Sequence, residues 1–221
     1  MSAAINRLRY SLMESIASLF IFAAIAAFTP GPNNIMIMSS GLNYGVKASL
    51  PHLLGICLGF PSMMLAVGLG LGYFFERYPM LHSSVQIIGV LYLIYLAWLI
   101  AVSSPYTSNK QQPQPLTFIQ AALFQWVNPK AWVMGTSALA AYTVVGAQMA
   151  SQVVIVVSVF MLMAFPSAGV WLLFGKGLQA LLSQPSRIRR FNYVMSALLI
   201  MSIVPVVFGL LESVAGWCFN I

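Results

Sequence analysis

The sequence has very few acidic residues: it contains no aspartate, and its three glutamates are Glu14, Glu76 and Glu212. A buried site for a cationic ligand normally includes a carboxylate partner, so this scarcity argues against a cationic substrate. It also leaves no paired carboxylates for acid–base catalysis. Charged residues of both signs make up 6% of the chain, whereas 60% of its residues are hydrophobic. This composition is typical of a membrane protein.

Cysteine is also scarce, since the chain has only Cys57, inside an apolar run, and Cys218, near its end. The two have no CxxC spacing, and no cluster of histidines or carboxylates lies near either. This pattern excludes the usual metal-ligand spacing and argues against a carrier of reducing equivalents, which needs two cysteines able to meet. We expect both thiols to be packing residues. We predict no enzymatic activity, no cofactor and no metal.

Several apolar runs reach the roughly 20 residues with which a helix crosses a ~30 Å hydrocarbon core. The sequence therefore predicts an all-α membrane protein, with residues 1–221 forming one domain in the lipid bilayer. Six transmembrane helices are expected, at about 15–38, 48–74, 84–103, 119–143, 150–174 and 192–214.

The basic residues predict how these helices are oriented. They are scattered over loops without an aromatic–basic platform, so the net charge of +7 does not indicate nucleic acid. Basic residues are enriched in cytoplasmic loops, and the even number of helices puts both termini on one side. One side carries Lys47, Lys110, Lys176, Arg187, Arg189 and Arg190, against Arg7, Arg9 and Arg77 on the other. We therefore predict that both termini lie outside the cytoplasm; whether translation starts at Met1 or Met13 stays open.

Proline and asparagine interrupt the predicted first and fourth helices, at "TPGPNN" (29–34) and "WVNPKAW" (126–132). The second and fifth helices also resemble one another, with "GFPSMM" at 59–64 and "AFPSAG" at 164–169. These matches predict two three-helix repeats, at about 13–103 and 119–214, which are inverted because three is odd. Corresponding broken helices in two inverted halves indicate a transporter substrate site near the membrane midplane.

The first interruption has a direct physical cause. Pro30 and Pro32 lack amide hydrogens, and Gly31 lets the backbone leave helical geometry cheaply. An unwound stretch is tolerated at membrane depth only when it is buried in protein or lines a water-filled cavity. Asn33 and Asn34 can supply the missing hydrogen-bond partners or face a ligand. The helix that starts after Pro32 directs its positive dipole end at the break, which suits a carboxylate; the alternative is a plain proline kink.

Lys130 lies about 12 residues inside the fourth apolar run, next to Asn128 and Pro129. A lysine at that depth costs roughly 3 kcal/mol on insertion scales. The lysine could extend to the membrane surface, neutralise a substrate carboxylate, or titrate during a coupling step. With no acidic partner expected in the helix cores, the ligand that fits is a neutral zwitterion. His52 is expected to be a packing or interfacial residue.

Glycine recurs at four-residue spacing, at 41 and 45 and again at 55 and 59. Two such GxxxG patterns permit close approach of helices. We expect packing within the chain, with dimerisation as the alternative, so a homo-oligomer is left open.

Several segments resemble the LysE/RhtB family of amino-acid exporters. "FTPGPNNIMIMSSGLNYGVKASLPHLLGICLGF" (28–60) is similar to its N-terminal signature, "GVLYLIYLAW" (89–98) to a following segment, and "FQWVNPKAWVMGTSAL" (124–139) to its N-P-K-A segment. The doubled asparagine and "GTSAL" are most similar to the cysteine and O-acetylserine exporter branch. A departure is the "SNKQQPQP" loop, which carries one lysine where relatives are often more basic.

The resemblance implies secondary export of small neutral amino acids or their derivatives from the cytoplasm across the bacterial inner membrane, coupled to protons. It carries over Pro30, Gly31, Pro32, Asn33, Asn128, Pro129 and Lys130 as substrate-binding residues, to which the residue chemistry above adds Asn34. A passive channel or facilitator for small metabolites is the alternative function.

Overall fold

The computed structural model of the protein describes residues 16–103, 114–182 and 184–219. At 74–76, 79, 81–82 and 211–219 it describes the backbone alone. Several residues that the sequence singled out, namely Met1, Arg7, Arg9, Met13, Glu14 and Lys110, lie outside the described residues. The side chains of Glu76, His82, Glu212 and Cys218 also lie outside them.

All regular elements in the described part of the chain are helical. In chain order they are α1 (Ile16–Phe28), α2 (Pro32–Ala66), a π-helical turn (Val67–Leu71), α3 (Gly72–Arg77), α4 (Pro79–Val102), α5 (Phe118–Phe124), a 3-10 turn (Gln125–Val127), α6 (Pro129–Tyr142), α7 (Met149–Leu181) and α8 (Pro185–Phe219).

Helix α2 reverses direction at Gly45. This residue has φ 79° and ψ 175° within an otherwise helical segment, a conformation that only glycine adopts without strain. Ser40 Oγ lies 3.0 Å from His52 Nδ1 on the other side of Gly45. Twelve residues of straight helix would separate their backbones by about 18 Å, so the halves of α2 before and after Gly45 must fold against each other.

Two interruptions divide the apolar segments that begin at Ile16 and Phe118. Between α1 and α2, residues 29–31 are non-helical, and α2 restarts with Pro32 at its first turn. Between α5 and α6, the chain tightens into the 3-10 turn and then takes an extended conformation at Asn128, before Pro129 opens α6. Proline is well suited to a first helical turn because its missing amide hydrogen is not needed there.

Among the described residues, four helical segments are long and apolar enough to cross a membrane: Pro32–Leu71, Ser83–Val102, Met149–Leu181 and Pro185–Leu210. Ile16–Phe28 and Phe118–Val127 are apolar but shorter. The predicted boundaries differ from these in two ways. The predicted gap at 39–47 is helical except at Gly45, and α7 and α8 continue through much of the expected 175–191 loop. Hydropathy marks where apolar sequence ends, whereas "LQAL" (178–181) consists of residues that favour continued helix.

The main interface of the fold lies between α2 and α7. Gly41 is packed directly against the backbone carbonyl of Leu172, and Gly175 against that of Met38. A Cβ atom at either glycine would overlap the facing carbonyl, so these glycines set the close approach of the two helices. Gly55 and Gly59 likewise face Phe118 and Ala122 of α5. Three of the four glycines in the two patterns, Gly41, Gly55 and Gly59, therefore pack within the chain, whereas Gly45 makes the reversal. Cys57 is fully buried in a small apolar cluster with Ala164 and Ala168.

Candidate functional site

A cavity lies where the two interruptions meet. Its polar lining comes from Gly31, Asn33 and Asn34 at the start of α2, Asn128 and Lys130 at the start of α6, and Ser167 of α7. Ile56, Phe60, Met134 and Phe160 contribute its apolar wall, together with five alanines. The volume open to the centre of a water-sized sphere is about 40 Å³, which is enough for more than one water molecule. None of the described residues that line this cavity is acidic.

Asn33 and Gln125 join the two interruptions directly. The Asn33 amide nitrogen donates to Gln125 Oε1 at 2.8 Å, and the Gln125 amide nitrogen donates to Asn33 Oδ1 at 3.1 Å. Gln125 Nε2 also donates to the carbonyl of Ala121, one turn back in α5, at 2.8 Å. Gln125 is fully buried, so this reciprocal amide pair is shielded from water and holds the two breaks at a fixed separation.

The C-terminal end of α1 is satisfied by side chains from two other elements. Asn34 Nδ2 donates to the carbonyls of Ala27 and Thr29, both at 2.9 Å. Ser167 Oγ donates to the same Ala27 carbonyl at 2.7 Å. The last carbonyls of a helix have no partner within the helix, and these bonds replace the ones that the break removes. Asn34 is thus committed to the backbone, and Ser167 ties α7 to the break.

Lys130 reaches across the cavity to the first interruption. Its Nζ donates to the carbonyl of Thr29, immediately after α1, and its side chain is packed against Gly31. An ammonium group at the C-terminal end of a helix is favourably placed in the field of the helix dipole. Because an ammonium group has three donors, this one bond leaves Lys130 able to bind a carboxylate in the same cavity.

Asn128 caps α6 at the second interruption. It is buried, and its Oδ1 accepts a hydrogen bond of 3.1 Å from the backbone nitrogen of Lys130. This is the usual role of asparagine at a helix N-cap. Asn128 also lines the cavity, and no described residue accepts a hydrogen bond from its amide nitrogen. Two helix N-terminal ends, those of α2 and α6, therefore meet at one cavity that also contains a lysine, a combination suited to an anionic group.

The structure brings together five of the eight residues that the sequence singled out, since Gly31, Asn33, Asn34, Asn128 and Lys130 all line the cavity. Pro30 is exposed, Pro32 is buried in the first turn of α2, and Pro129 lines a different groove beside Trp126 and Trp132. The three prolines shape the backbone and do not line the cavity. A binding role for the five lining residues stays a prediction.

Sequence reasoning missed Gln125 and Ser167. A signal was available for both: Gln125 is a polar amide inside an apolar run three residues before Asn128, and Ser167 belongs to the "AFPSAG" segment. Polar side chains at membrane depth usually face the protein interior and mark functional regions. The aromatic residues Phe60 and Phe160 carried no such signal, because they look like any other apolar residue in a helix.

Replacing Asn33 or Gln125 by alanine is expected to destabilise the protein by about 1 kcal/mol for each variant, because each leaves a buried amide without its partner. The double variant should lose clearly less than the sum of the two, because the partners form one pair. Thermal unfolding in detergent measures the three changes. Additive losses would contradict a direct pair.

Comparison with known proteins gives the family. The family model described as "LysE type translocator" matches residues 24–211. The chain belongs to this translocator family. Its fold and its match to a family of translocators identify it as a membrane transporter and not an enzyme.

Curated relatives show which members of this translocator family the chain is similar to. Proteins named "Cysteine/O-acetylserine efflux protein" from Escherichia coli (strain K12), Escherichia coli O139:H28 (strain E24377A / ETEC) and Shigella flexneri serotype 5b (strain 8401) are each 33% identical to the chain over 189 residues. The match covers 84% of this chain and 93% of each relative. No solved structure matches the translocator.

Proposed function

We propose that the protein exports small neutral amino acids or their derivatives, of the cysteine, O-acetylserine, homoserine and threonine type, from the cytoplasm across the bacterial inner membrane. Membership of a translocator family supports the transport activity, and the name of the efflux relatives supports this substrate class. The observation that carries the proposal is Lys130 between two helix N-terminal ends, in a cavity whose described lining residues include no acidic one.

The substrate carboxylate binds the ammonium group of Lys130, and the positive dipole ends of α2 and α6 favour its charge. Its ammonium group binds uncharged oxygen atoms of the lining, since the described lining residues include no carboxylate to receive it. The small volume and the apolar wall of Phe60 and Phe160 favour a short side chain. A second cation, such as that of lysine or arginine, has no partner in this cavity, and this would exclude those amino acids.

The proposed transport domain has six spans in two inverted halves. The reversal at Gly45 supports this arrangement because it divides the 40-residue segment Pro32–Leu71 into two parts that lie against each other. The first span then consists of α1 with the first part of α2, and the fourth of α5 with α6. Each would cross the membrane as two half-helices around the cavity. We propose that protons drive the export. We also propose that the protein acts within the lipid bilayer and does not bind nucleic acid.

The test of this proposal is a panel of amino acids in proteoliposomes that contain the purified protein. Vesicles loaded with cysteine, O-acetylserine, homoserine, threonine, lysine or arginine are diluted into amino-acid-free buffer, and efflux is compared with protein-free vesicles. Neutral amino acids should leave at least tenfold faster than lysine or arginine. Lysine as the best substrate would contradict the proposed binding site, and efflux of none of the panel would contradict the function.

Both termini are proposed to lie in the periplasm. The charge bias among the described residues supports this, because Lys47, Lys176 and the three arginines of 187–190 share the predicted cytoplasmic side, whereas Arg77 is alone on the other. A fluorescent protein that folds only in the cytoplasm, fused to the C-terminus, should stay dark. A periplasmically active phosphatase fused at the same position should be active; the opposite pair of results would reverse the orientation.

A further inference from the structure

A second polar cavity lies beside the reversal of α2, separate from the cavity at the breaks. Its polar lining includes Ser39, Ser40, Asn43, Tyr44 and His52 of α2, and Ser103 at the end of α4. Met36, Leu96, Leu99, Ile100 and Leu116 form its apolar wall. The volume open to the centre of a water-sized sphere is about 40 Å³, the same as in the first cavity. No charged side chain is among its described lining residues.

Two polar atoms in this cavity are buried without a partner. Ser39 is 3% exposed and His52 1% exposed, and within the described structure neither Ser39 Oγ nor His52 Nε2 has a hydrogen-bond partner. His52 Nδ1 is occupied by Ser40 Oγ at 3.0 Å, so the ring is held with its other nitrogen free. Nearly all buried polar atoms in proteins are hydrogen-bonded, and an unpaired one indicates a missing water or ligand.

The surrounding polar residues form a rigid frame and do not compete for these two atoms. Asn43 and Asn192 exchange two hydrogen bonds of 3.0 Å, and Asn192 also donates to the carbonyl of Ser103 at 2.8 Å. Tyr44 and Ser103 hydroxyls lie 2.9 Å apart. The frame joins α2, α4 and α8. In the described structure the groups of this frame are hydrogen-bonded, whereas Ser39 Oγ and His52 Nε2 are not. A ligand can therefore bind at these two atoms without breaking the frame.

The two cavities are stacked along the first part of α2. Asn33 and Asn34 line the first, and Ser39 and Ser40 line the second, six residues further on, or about 9 Å of helix. Ile56 of the first cavity and Met36 of the second belong to the same apolar cluster. Two polar cavities that follow one another along one helix suit successive binding sites on a path across the membrane.

We propose that the Ser39–His52 cavity is a second binding site for the exported solute, a small neutral amino acid. The proposal rests on the export function proposed above. The hydroxyl of Ser39 and the free nitrogen of His52 bind the polar groups of the solute by uncharged hydrogen bonds, so the site is weaker than the one at Lys130. With the Gly45 reversal on the cytoplasmic side, this is the site that the solute reaches first.

Cysteine labelling in proteoliposomes tests the site. In a background with Cys57→Ala and Cys218→Ser, Ser39→Cys places a thiol in the second cavity with little change of volume. Leu42→Cys is the matched control, because Leu42 is fully buried on the same helix and lines neither cavity. A small methanethiosulfonate reagent should modify Ser39→Cys at least tenfold faster than Leu42→Cys. O-acetylserine, or the neutral amino acid that these vesicles export fastest, should slow the modification several-fold.

The same slowing should persist when Lys130→Met is added, because the second site binds independently of the first. Equal modification of the two cysteines would overturn the proposal, since it shows that the cavity admits no solute. Modification that no exported amino acid slows would identify a chamber for water alone. Loss of the slowing with Lys130→Met would mean that the effect comes from the first site. Export is measured on vesicles that contain the protein with Cys57→Ala and Cys218→Ser alone: export by this protein without slowing in the Ser39→Cys variant refutes the second site alone, and no export of any amino acid refutes both proposals.

Discussion

Export by the Lys130→Met variant is expected to be at least tenfold slower than export by the unchanged protein. Methionine keeps the length and the apolar stem of the side chain but removes its charge. A hydrogen bond to a charged group contributes roughly 1.5–3 kcal/mol, which corresponds to a tenfold or larger change in an equilibrium or rate. Efflux of the best neutral substrate from proteoliposomes, at equal protein content, measures the loss.

Two variants separate this effect from general damage. Lys176→Met removes a lysine that is exposed on α7 and bonded to Gln179, far from the cavity lining, and should export at the unchanged rate. Lys130→Arg keeps the charge and should retain part of the activity. Because Lys130 also bonds the Thr29 carbonyl, thermal unfolding is recorded for each variant. Unchanged export by a folded Lys130→Met protein would show that the lysine serves only to satisfy the end of α1.

Export by the Gly31→Ala variant is expected to fall by a similar factor, for a steric reason. A Cβ atom on Gly31 would overlap Cδ of Lys130 and would lie 3.1 Å from its Nζ. The backbone itself tolerates alanine, because φ is −170° and ψ −179° at Gly31. The lysine must therefore take another rotamer and leave its position in the cavity. Efflux is measured in the same assay.

A double-mutant cycle shows whether Gly31 acts through Lys130. In a Lys130→Ala background the overlap is absent, so adding Gly31→Ala should cause little further loss. Gly169→Ala is the matched control, because no atom lies within 4 Å of a Cβ placed at Gly169. It should leave export unchanged. Full additivity of Gly31→Ala and Lys130→Ala would contradict the contact that the structure shows.

The breaks and their neighbourhood followed from the sequence because their causes are local. Pro30, Gly31 and Pro32 cannot continue a helix, and Asn128 before Pro129 reads as the cap of a new one. The matching interruptions in the two halves predicted that both would face one cavity. The prediction succeeded because few alternatives exist: unwound backbone and a lysine at membrane depth must both face the protein interior.

The partners within the site could not be predicted in the same way. Ser167 donates to Ala27, 140 positions earlier in the chain, and Gln125 pairs with Asn33, 92 positions earlier. Such pairs depend on how α7 and α5 dock against the break. Packing also decides which asparagine bonds to Gln125 and which to the end of α1. The two residues are chemically identical, and the helix turns only Asn34 back towards α1.

The Gly45 reversal shows why element boundaries were the weakest part of the sequence-based description. The segment "GLNYG" was interpreted as a packing motif with a loop around it. In the structure Gly41 does pack against α7, whereas Gly45 makes the turn within a single residue. One glycine with positive φ replaces a loop of several residues. Hydropathy does not locate such a one-residue turn, because it reports how apolar a segment is and not its backbone conformation.

Counterflow of O-acetylserine tests most directly whether the protein is a carrier with a site for small neutral amino acids. Proteoliposomes are loaded with unlabelled O-acetylserine and diluted into a trace of labelled O-acetylserine. A carrier with the proposed site should accumulate label inside transiently, above its equilibrium level, when the internal amino acid is O-acetylserine, cysteine, homoserine or threonine. It should accumulate none when the internal amino acid is lysine. Equilibration without accumulation for every neutral amino acid would indicate a channel, and accumulation driven by internal lysine would contradict the proposed site.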